Sequence, residues 1–310
     1  MILVIGEILV DMIGNNQNGI TTFERYPGGA PFNACCGANN LCGKAGFIGA
    51  VGDDLNGHFL IDYVNSLNLR YKDIYVDSSH NTTIAFVENG VDGERSFSFN
   101  RKNTADYHIP KTSLQKIKDA DIVVLGSLML SEKEGKNIAD EVVKLAKKYN
   151  KPLSFDVNYR DDIFKSKEEA IKTSLKYVQK ANIVKFAEEE VLLLSGEKDV
   201  ESGIKKITAD NQLVLVTLGK NGSRFYYKGM TADVATIKVN SIDTTGAGDA
   251  FYSCVLAELN EKDIYTISKN ELINILKKAN ICGALACTKK GAINKAPTDA
   301  EFEKYLSMIK

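Results

Sequence analysis

Residues 243–251 read D-T-T-G-A-G-D-A-F, so two glycines stand just before an aspartate in one short segment. The apolar run that follows predicts a helix, and Gly246 to Asp249 should form its first turn. Glycine lets backbone N–H groups come close to a ligand, and the unpaired N–H groups at a helix N-terminus favour a phosphate. Asp249 could then accept a proton from a hydroxyl that attacks phosphorus. The segment therefore predicts phosphoryl transfer, the alternative being a tight loop followed by a helix with an acidic first turn.

A second candidate segment lies near the N-terminus, where residues 28–34 read G-G-A-P-F-N-A. Pro31 suits the first turn of a helix, so this helix should begin beside the double glycine. Bare backbone at that place allows close approach of a sugar, and Asn33 would present its amide there. A glycine turn before a tightly packed helix is the alternative.

Polar side chains follow three apolar strands in the middle of the chain. Residues 155–160 read F-D-V-N-Y-R, residues 185–190 read K-F-A-E-E-E, and residues 217–222 read T-L-G-K-N-G. Ligands of open α/β sheets bind at the carboxyl ends of the strands, which makes these side chains candidates for ligand contacts. Each segment alone is more typical of a helix cap or a turn than of a ligand site.

Apolar strands alternate with amphipathic helices along most of the chain, which predicts an α/β fold whose parallel sheet is covered by helices on both faces. A hairpin over about residues 82–101 interrupts this rhythm. We expect it to form a small β-sheet lid together with residues 11–27. No linker or repeat divides the sequence, so we expect a single domain over residues 1–310.

The composition is that of an ordinary globular protein, with 310 residues, 25% charged residues and a formal net charge of −1. This charge gives no long-range attraction to nucleic acid or to a membrane surface. Residues 1–13 contain Glu7 and Asp11, so we expect a first strand there and not a signal peptide or a membrane span. Six cysteines without C-x-x-C spacing fit a reducing cytoplasm, and three scattered histidines argue against a histidine-built metal site.

Together, the glycine–aspartate segment and the double-glycine segment resemble the two signatures of the ribokinase-like, phosphofructokinase-B type carbohydrate kinases. Residues 99–106 (F-N-R-K-N-T-A-D) and the C-terminal residues 288–293 are similar to fructokinase patterns. The resemblance covers almost the whole chain and implies a three-layer αβα ribokinase-like fold. It further implies an ATP-dependent sugar kinase, most like a bacterial fructokinase, that makes fructose 6-phosphate.

The resemblance also implies a role for each candidate residue. Asp249 would be the base for the primary hydroxyl of the sugar, and the backbone amides of Gly246, Ala247 and Gly248 would hold the charge that develops on the phosphoryl group. The sugar would be surrounded by residues from four segments: Asp11, Gly28, Gly29, Asn33, Phe99, Asn100, Arg101 and Arg160. The nucleotide would contact a separate set: Asn158, Lys185, Glu190, Thr217, Gly219, Gly222 and Gly248.

Metal ions and a partner subunit are implied in the same way. Glu188 and Glu190 would hold Mg²⁺ mainly through water, because that ion loses its hydration shell reluctantly. Asp243 and Thr245 would shape a loop for potassium, and the exposed lid would pair with a second copy to give a homodimer.

Other sugar kinases of this family remain open as alternatives, namely aminoimidazole riboside kinase, 2-keto-3-deoxygluconate kinase and ribokinase. Asn100 stands where the fructokinase pattern has tyrosine, which leaves the choice of sugar open. A non-catalytic sugar-binding regulator on the same scaffold is the alternative from another class, although Asp249 is present.

Overall fold

The computed structural model describes residues 1–17, 20–89, 95–160, 162–242, 244–288, 293 and 296–309. Its strands are Ile2–Ile5 (β1), Leu9–Gln17 (β2), Ile20–Gly28 (β3), Ala45–Gly52 (β4), Tyr71–Asp77 (β5), Ile84–Asn89 (β6), Arg95–Asn100 (β7), Ile122–Leu125 (β8), Leu153–Asp156 (β9), Ile183–Ala187 (β10), Leu213–Thr217 (β11), Ser223–Tyr227 (β12) and Met230–Val234 (β13). Its helices are Ala30–Cys42 (α1), Leu55–Ser66 (α2), Lys133–Lys148 (α3), Lys167–Val178 (α4), Glu188–Ser195 (α5), Val200–Ile207 (α6), Ala247–Leu259 (α7), Lys269–Ala286 (α8) and Asp299–Leu306 (α9).

Nine strands form the main sheet in the order β13-β12-β11-β10-β9-β8-β1-β4-β5. The pairs from β11 to β5 are all parallel, and only β12 and β13 run antiparallel to their neighbours. Side chains of β1 alternate between two cores: Ile2 and Val4 pack with α1, α7 and α8, whereas Leu3 and Ile5 pack with α3 to α6. Because both faces are covered, the neighbouring central strands β1, β4 and β8 carry no polar side chain. The α/β prediction, with a mainly parallel sheet between two helical layers, is confirmed.

A separate four-stranded sheet has the order β3-β2-β6-β7. The strand β2 pairs antiparallel with β3 and parallel with β6, and β7 returns antiparallel beside β6. It is built from the two parts of the chain that the sequence predicts for the small sheet. Its outer strand β3 exposes apolar side chains, of which Ile20 is 68% exposed.

The helices α1 and α7 pack closely, and this contact positions the site. The Ser253 hydroxyl lies 3.2 Å from the Ala34 carbonyl oxygen, to which it donates. A Cβ atom on Gly37 would come within 2.3 Å of the Ser253 hydroxyl oxygen, so only glycine fits there. The two helix N-termini thus lie side by side.

Among the described residues, no helix is both long and apolar enough to cross a membrane.

Candidate active site

Asn33 and Asp249 meet where α1 and α7 begin. The Asn33 amide nitrogen donates a hydrogen bond of 2.9 Å to Asp249 Oδ2, although the two residues are 216 positions apart. Gly246 precedes α7 with φ +76°, a left-handed conformation that favours glycine. Burial raises the pKa of the Asp249 carboxyl, while Asn33, Lys185 and Arg160 act in the opposite direction. A raised pKa brings this carboxylate closer to the basicity that general-base catalysis needs.

Lys185 places a buried positive charge under the first turn of α7. A Cβ atom on Gly248 would lie 3.2 Å from its ammonium nitrogen, so the glycine leaves room between the helix N-terminus and the charge. Burial acts to lower the pKa of Lys185, but the carboxylates of Asp156, Glu190 and Asp249 outweigh it and raise that pKa. The ammonium group and the helix N-terminus together form an environment suited to an anion.

Asp156 and Lys185 are register partners on the neighbouring strands β9 and β10. The lysine nitrogen lies 3.0 Å and 3.1 Å from the two carboxylate oxygens of Asp156. Both residues are buried, at 8% and 6% exposure. Burial raises the pKa of Asp156 to about 7 against the lowering effect of Lys185, while Glu190 and Asp249 raise it further. The pair therefore fixes the position of the ammonium group below α7.

Glu190 connects two of the predicted segments. One of its oxygens accepts from the Tyr159 backbone N–H and the other from the Ala187 backbone N–H, both at 2.7 Å. The loop after β9 is thereby tied to the start of α5, and Asn158 in that loop has φ +38°. Arg160 turns its guanidinium toward the Tyr159 carbonyl oxygen, 2.7 Å away. Because both of its oxygens hold backbone amides, Glu190 orders this loop.

Glu188 is the first residue of α5 and is half-buried. A carboxylate oxygen that can also take water is the kind of ligand that Mg²⁺ prefers, so this position suits the ion. Contact of Glu188 or Glu190 with Mg²⁺ stays a prediction.

Thr217, Gly219 and Gly222 line the turn after β11. The Thr217 hydroxyl donates to the Phe186 carbonyl oxygen at 3.3 Å. A Cβ atom on Gly222 would come within 2.1 Å of the Val234 carbonyl oxygen, and its φ is +94°, so packing alone requires glycine there. The space around Gly219 is open. Nucleotide contacts of this turn stay a prediction.

The double glycine is shaped by close contacts on both sides. A Cβ atom on Gly28 would come within 2.2 Å of an Asp11 carboxylate oxygen, and one on Gly29 within 2.7 Å of the Glu7 carbonyl oxygen. Gly29 has φ +105°. The backbone at the start of α1 therefore lies directly against Asp11, and contact of these residues with a sugar stays a prediction.

The two residues at the end of β7 that were predicted to contact the sugar differ in their surroundings. Asn100 is exposed, and Phe99 packs against Leu9, Ala85 and Leu128.

Arg101, predicted to contact the sugar, is instead 5% exposed and points into the protein. Its guanidinium donates to Asp106 and to the Leu128 carbonyl oxygen and lies over the Tyr107 ring, 4.5 Å from the centroid. Both terminal nitrogens thus have protein partners, and a direct contact of Arg101 with the sugar stays a prediction.

Of the predicted potassium ligands, Asp243 lies outside the described residues, and Thr245 lies just before α7.

Glu7 was not among the predicted site residues. It follows β1, is 0% exposed, and neither of its carboxylate oxygens has a hydrogen-bond partner among the described residues. One of those oxygens lies 2.7 Å from the position of a Cβ atom on Gly126. Burial raises the pKa of Glu7 to about 7, while Arg101 opposes the rise and Asp106 and Asp249 add to it. A glutamate directly after a fully apolar strand is the sequence signal for this buried carboxyl.

The raised pKa of Glu7 predicts a pH-dependent stability. Between pH 4.5 and about 7 the folded protein binds more protons than the unfolded chain, because Glu7 keeps its proton in the fold. The stability that this proton contributes is complete below pH 4.5 and is lost as the pH rises through 7. Such a shift corresponds to about 3 kcal/mol. We therefore compare the Tm of Glu7→Gln with that of the wild type at each pH. The difference, variant minus wild type, is expected to be more positive at pH 8 than at pH 5. Equal differences at the two pH values would contradict a buried, titrating Glu7.

Comparison with known proteins agrees with this geometry. The model of the pfkB family of carbohydrate kinases matches residues 1–299. The chain is 34% identical to probable fructokinase-2 of Arabidopsis thaliana over 316 residues, covering 99% of this chain and 96% of the relative. It is 33% identical to a fructokinase of Vibrio alginolyticus over 306 residues, covering 98% of each.

A solved structure has the same architecture. The fructokinase of Vibrio cholerae O395, as a double mutant with fructose, ADP and potassium bound, superposes with a TM-score of 0.87 at 30% identity, covering 98% of this chain and 97% of the other. Sequence family, fold and the two paired helix starts point to the same enzyme class. This chain belongs to the pfkB family of carbohydrate kinases.

Proposed function

We propose that this protein is an ATP-dependent fructokinase that transfers the terminal phosphoryl group of ATP to the primary hydroxyl of fructose, giving fructose 6-phosphate. The observation that carries the proposal is the Asp249 carboxylate, held by Asn33 at 2.9 Å in the first turn of a helix above a buried ammonium group. The names of the fructokinase relatives support fructose as the sugar.

In the proposed reaction Asp249 takes the proton of the primary hydroxyl as its oxygen attacks the terminal phosphorus of ATP. The new O–P bond forms while the bond from phosphorus to the bridging oxygen breaks, and ADP leaves with that oxygen. Negative charge on the transferred group faces the N–H groups at the start of α7 and the ammonium of Lys185. The residues thus supply a proton acceptor and charge stabilisation, which is what phosphoryl transfer requires of a protein.

Two ions complete the proposal. Mg²⁺, held through water by Glu188 with Glu190 beside it, would offset the charge of the ATP phosphates. Potassium bound beside Thr245 and Asp243 would stabilise the loop before α7. The Vibrio cholerae relative has a potassium ion bound, which supports binding of this ion but says nothing of its position.

The sugar would lie between the start of α1 and the small sheet. Asp11, Gly29 and Asn33 would contact it from one side and Arg160 from another, with Asn100 at the rim. We infer that the small sheet closes over the sugar as a lid, excluding water from the reaction. The apolar side chains exposed on β3 suit pairing with a second copy, so a homodimer is proposed.

An ATP-coupled assay over a panel of acceptors tests the function. We expect fructose to give a higher kcat/KM than ribose, aminoimidazole riboside or 2-keto-3-deoxygluconate, and we expect potassium to raise the rate above that in sodium. A higher kcat/KM for another acceptor would reassign the substrate within the family. Absence of ADP formation with every sugar would favour a sugar-binding regulator.

A further inference from the structure

A cluster of Asp77, His80 and His108 lies outside the proposed active site and is called the histidine cluster below. It contains two of the three histidines of the chain, which lie apart in the sequence. Asp77 ends β5, His80 follows in the next loop, and His108 comes directly after a short 3₁₀ helix at Ala105–Tyr107. The fold brings these separate segments into contact.

The geometry of the histidine cluster places three possible metal ligands together. His80 Nδ1 lies 2.7 Å from Asp77 Oδ2, and the rings of His80 and His108 stack with centroids 3.9 Å apart and planes 12° from parallel. One ligand atom from each residue lies within 4.8 Å of the other two. In tetrahedral zinc sites, ligand atoms about 2.0–2.2 Å from the metal lie about 3.3–3.6 Å from each other. The ligand atoms are therefore close enough to share one ion once the two stacked rings rotate so that a nitrogen of each points to it.

Asp77 is already held as a ligand would be. It is 6% exposed, and its second oxygen, Oδ1, accepts from the Ser79 backbone N–H at 2.8 Å. Its other oxygen, Oδ2, is directed at the imidazole of His80. Anchoring of a ligand by a further hydrogen bond is typical of metal sites.

We propose that Asp77, His80 and His108 bind one divalent transition-metal ion of the zinc class, with water in the fourth position. Two imidazoles and one carboxylate are ligands that suit Zn²⁺. The ion would replace the present hydrogen bond between His80 and Asp77, and each neutral imidazole would bind it through one ring nitrogen.

The histidine cluster lies at the base of the small sheet. Asn81, next to His80, forms a β-bridge with Thr104, and the Ala105 backbone N–H donates to the Asn81 carbonyl oxygen at 2.9 Å. The segment with Asn81 leads into β6, and the segment with Thr104 follows β7. The two segments therefore connect the small sheet to the rest of the protein. An ion bound to His80 and His108 would join both connections, and because it would bind only the folded protein, it would stabilise the fold.

Titration of the EDTA-treated protein with Zn²⁺ alone, followed by calorimetry and by thermal unfolding, tests the proposal. We expect one ion per chain and a rise in Tm of several degrees. His108→Ala should weaken binding at least about tenfold, the scale on which disturbing even an outer-shell contact acts, and should abolish the rise in Tm. His58→Ala is the matched control, since His58 is an exposed histidine that contacts Asp53 at 2.8 Å and should leave both results unchanged.

Titration with Co²⁺ separates the histidine cluster from the cysteines and the active-site carboxylates. We expect visible absorption bands of low-symmetry Co²⁺ in the wild type and in His58→Ala, and their loss in His108→Ala. Sulfur-to-cobalt charge transfer in the near ultraviolet, or binding that survives His108→Ala, would overturn the proposal, as would the absence of saturable binding. If His108→Ala is unfolded by circular dichroism without metal, Asp77→Asn, which preserves side-chain shape, takes its place with the same expected losses.

Discussion

Asp249→Asn is expected to lower kcat for fructose phosphorylation by at least about a hundredfold, the scale of a lost general base. An asparagine at this position can still accept the hydrogen bond from Asn33 through its own carbonyl oxygen, so the start of α7 should keep its shape. It cannot take the proton of the sugar hydroxyl. Stopped assays of sugar-dependent ADP formation measure the loss.

Binding measurements separate this chemical loss from a structural one. Affinities for fructose and for ATP, measured calorimetrically, should change less than about threefold in Asp249→Asn. The reason is that the proton transfer occurs only in the transition state, so its loss lowers kcat without weakening ligand binding. Near-normal turnover in this variant would remove Asp249 from the role of base. A large loss of sugar affinity with kcat preserved would make it a binding residue.

Lys185→Met is expected to reduce both stability and turnover. It leaves the buried carboxylate of Asp156 without its partner, and breaking a buried ion pair on one side costs about 3–5 kcal/mol. It also removes the positive charge beside Gly248, and loss of such transition-state stabilisation costs about a hundredfold or more in kcat. Urea unfolding and steady-state kinetics measure the two effects on the same protein.

The double variant Asp156→Asn with Lys185→Met tells the two roles of the lysine apart. With both charges of this pair removed, neither position is left with a buried charge that lacks its partner, so most of the lost stability should return. Turnover should stay low, because the ammonium group below α7 is still absent. Recovery of turnover together with stability would show that Lys185 serves only as a structural partner of Asp156.

The sequence predicted the parts of the site that depend on short segments. Glycines before a helix determine where the chain turns and where amides become available, which is why Gly246 and Asp249 could be placed at the start of α7 from the sequence alone. In the same way, the double glycine shortly before Pro31 predicted the start of α1. The main sheet followed from continuous apolar strands between amphipathic helices.

Contacts between segments that are far apart in the sequence could not be predicted from local sequence patterns. Asp156 and Lys185 were recognised as polar residues at strand ends, but their pairing depends on strand register, which no local pattern specifies. Arg101 matched a motif, yet its direction is set by Asp106, Leu128 and Tyr107 in the folded protein. His80 and His108 are far apart in sequence, and their loops are brought together by tertiary contacts such as the bridge between Asn81 and Thr104.

The most direct test of the central claim is a crystal structure of this protein with fructose, Mg²⁺ and a non-hydrolysable ATP analogue. The proposal predicts an Asp249 carboxylate oxygen within about 3 Å of the primary hydroxyl oxygen of the sugar, the reach of a general base. It also predicts the terminal phosphate at the start of α7, on the side of Lys185. A sugar whose primary hydroxyl faces another carboxylate, or a terminal phosphate remote from Gly248, would contradict it.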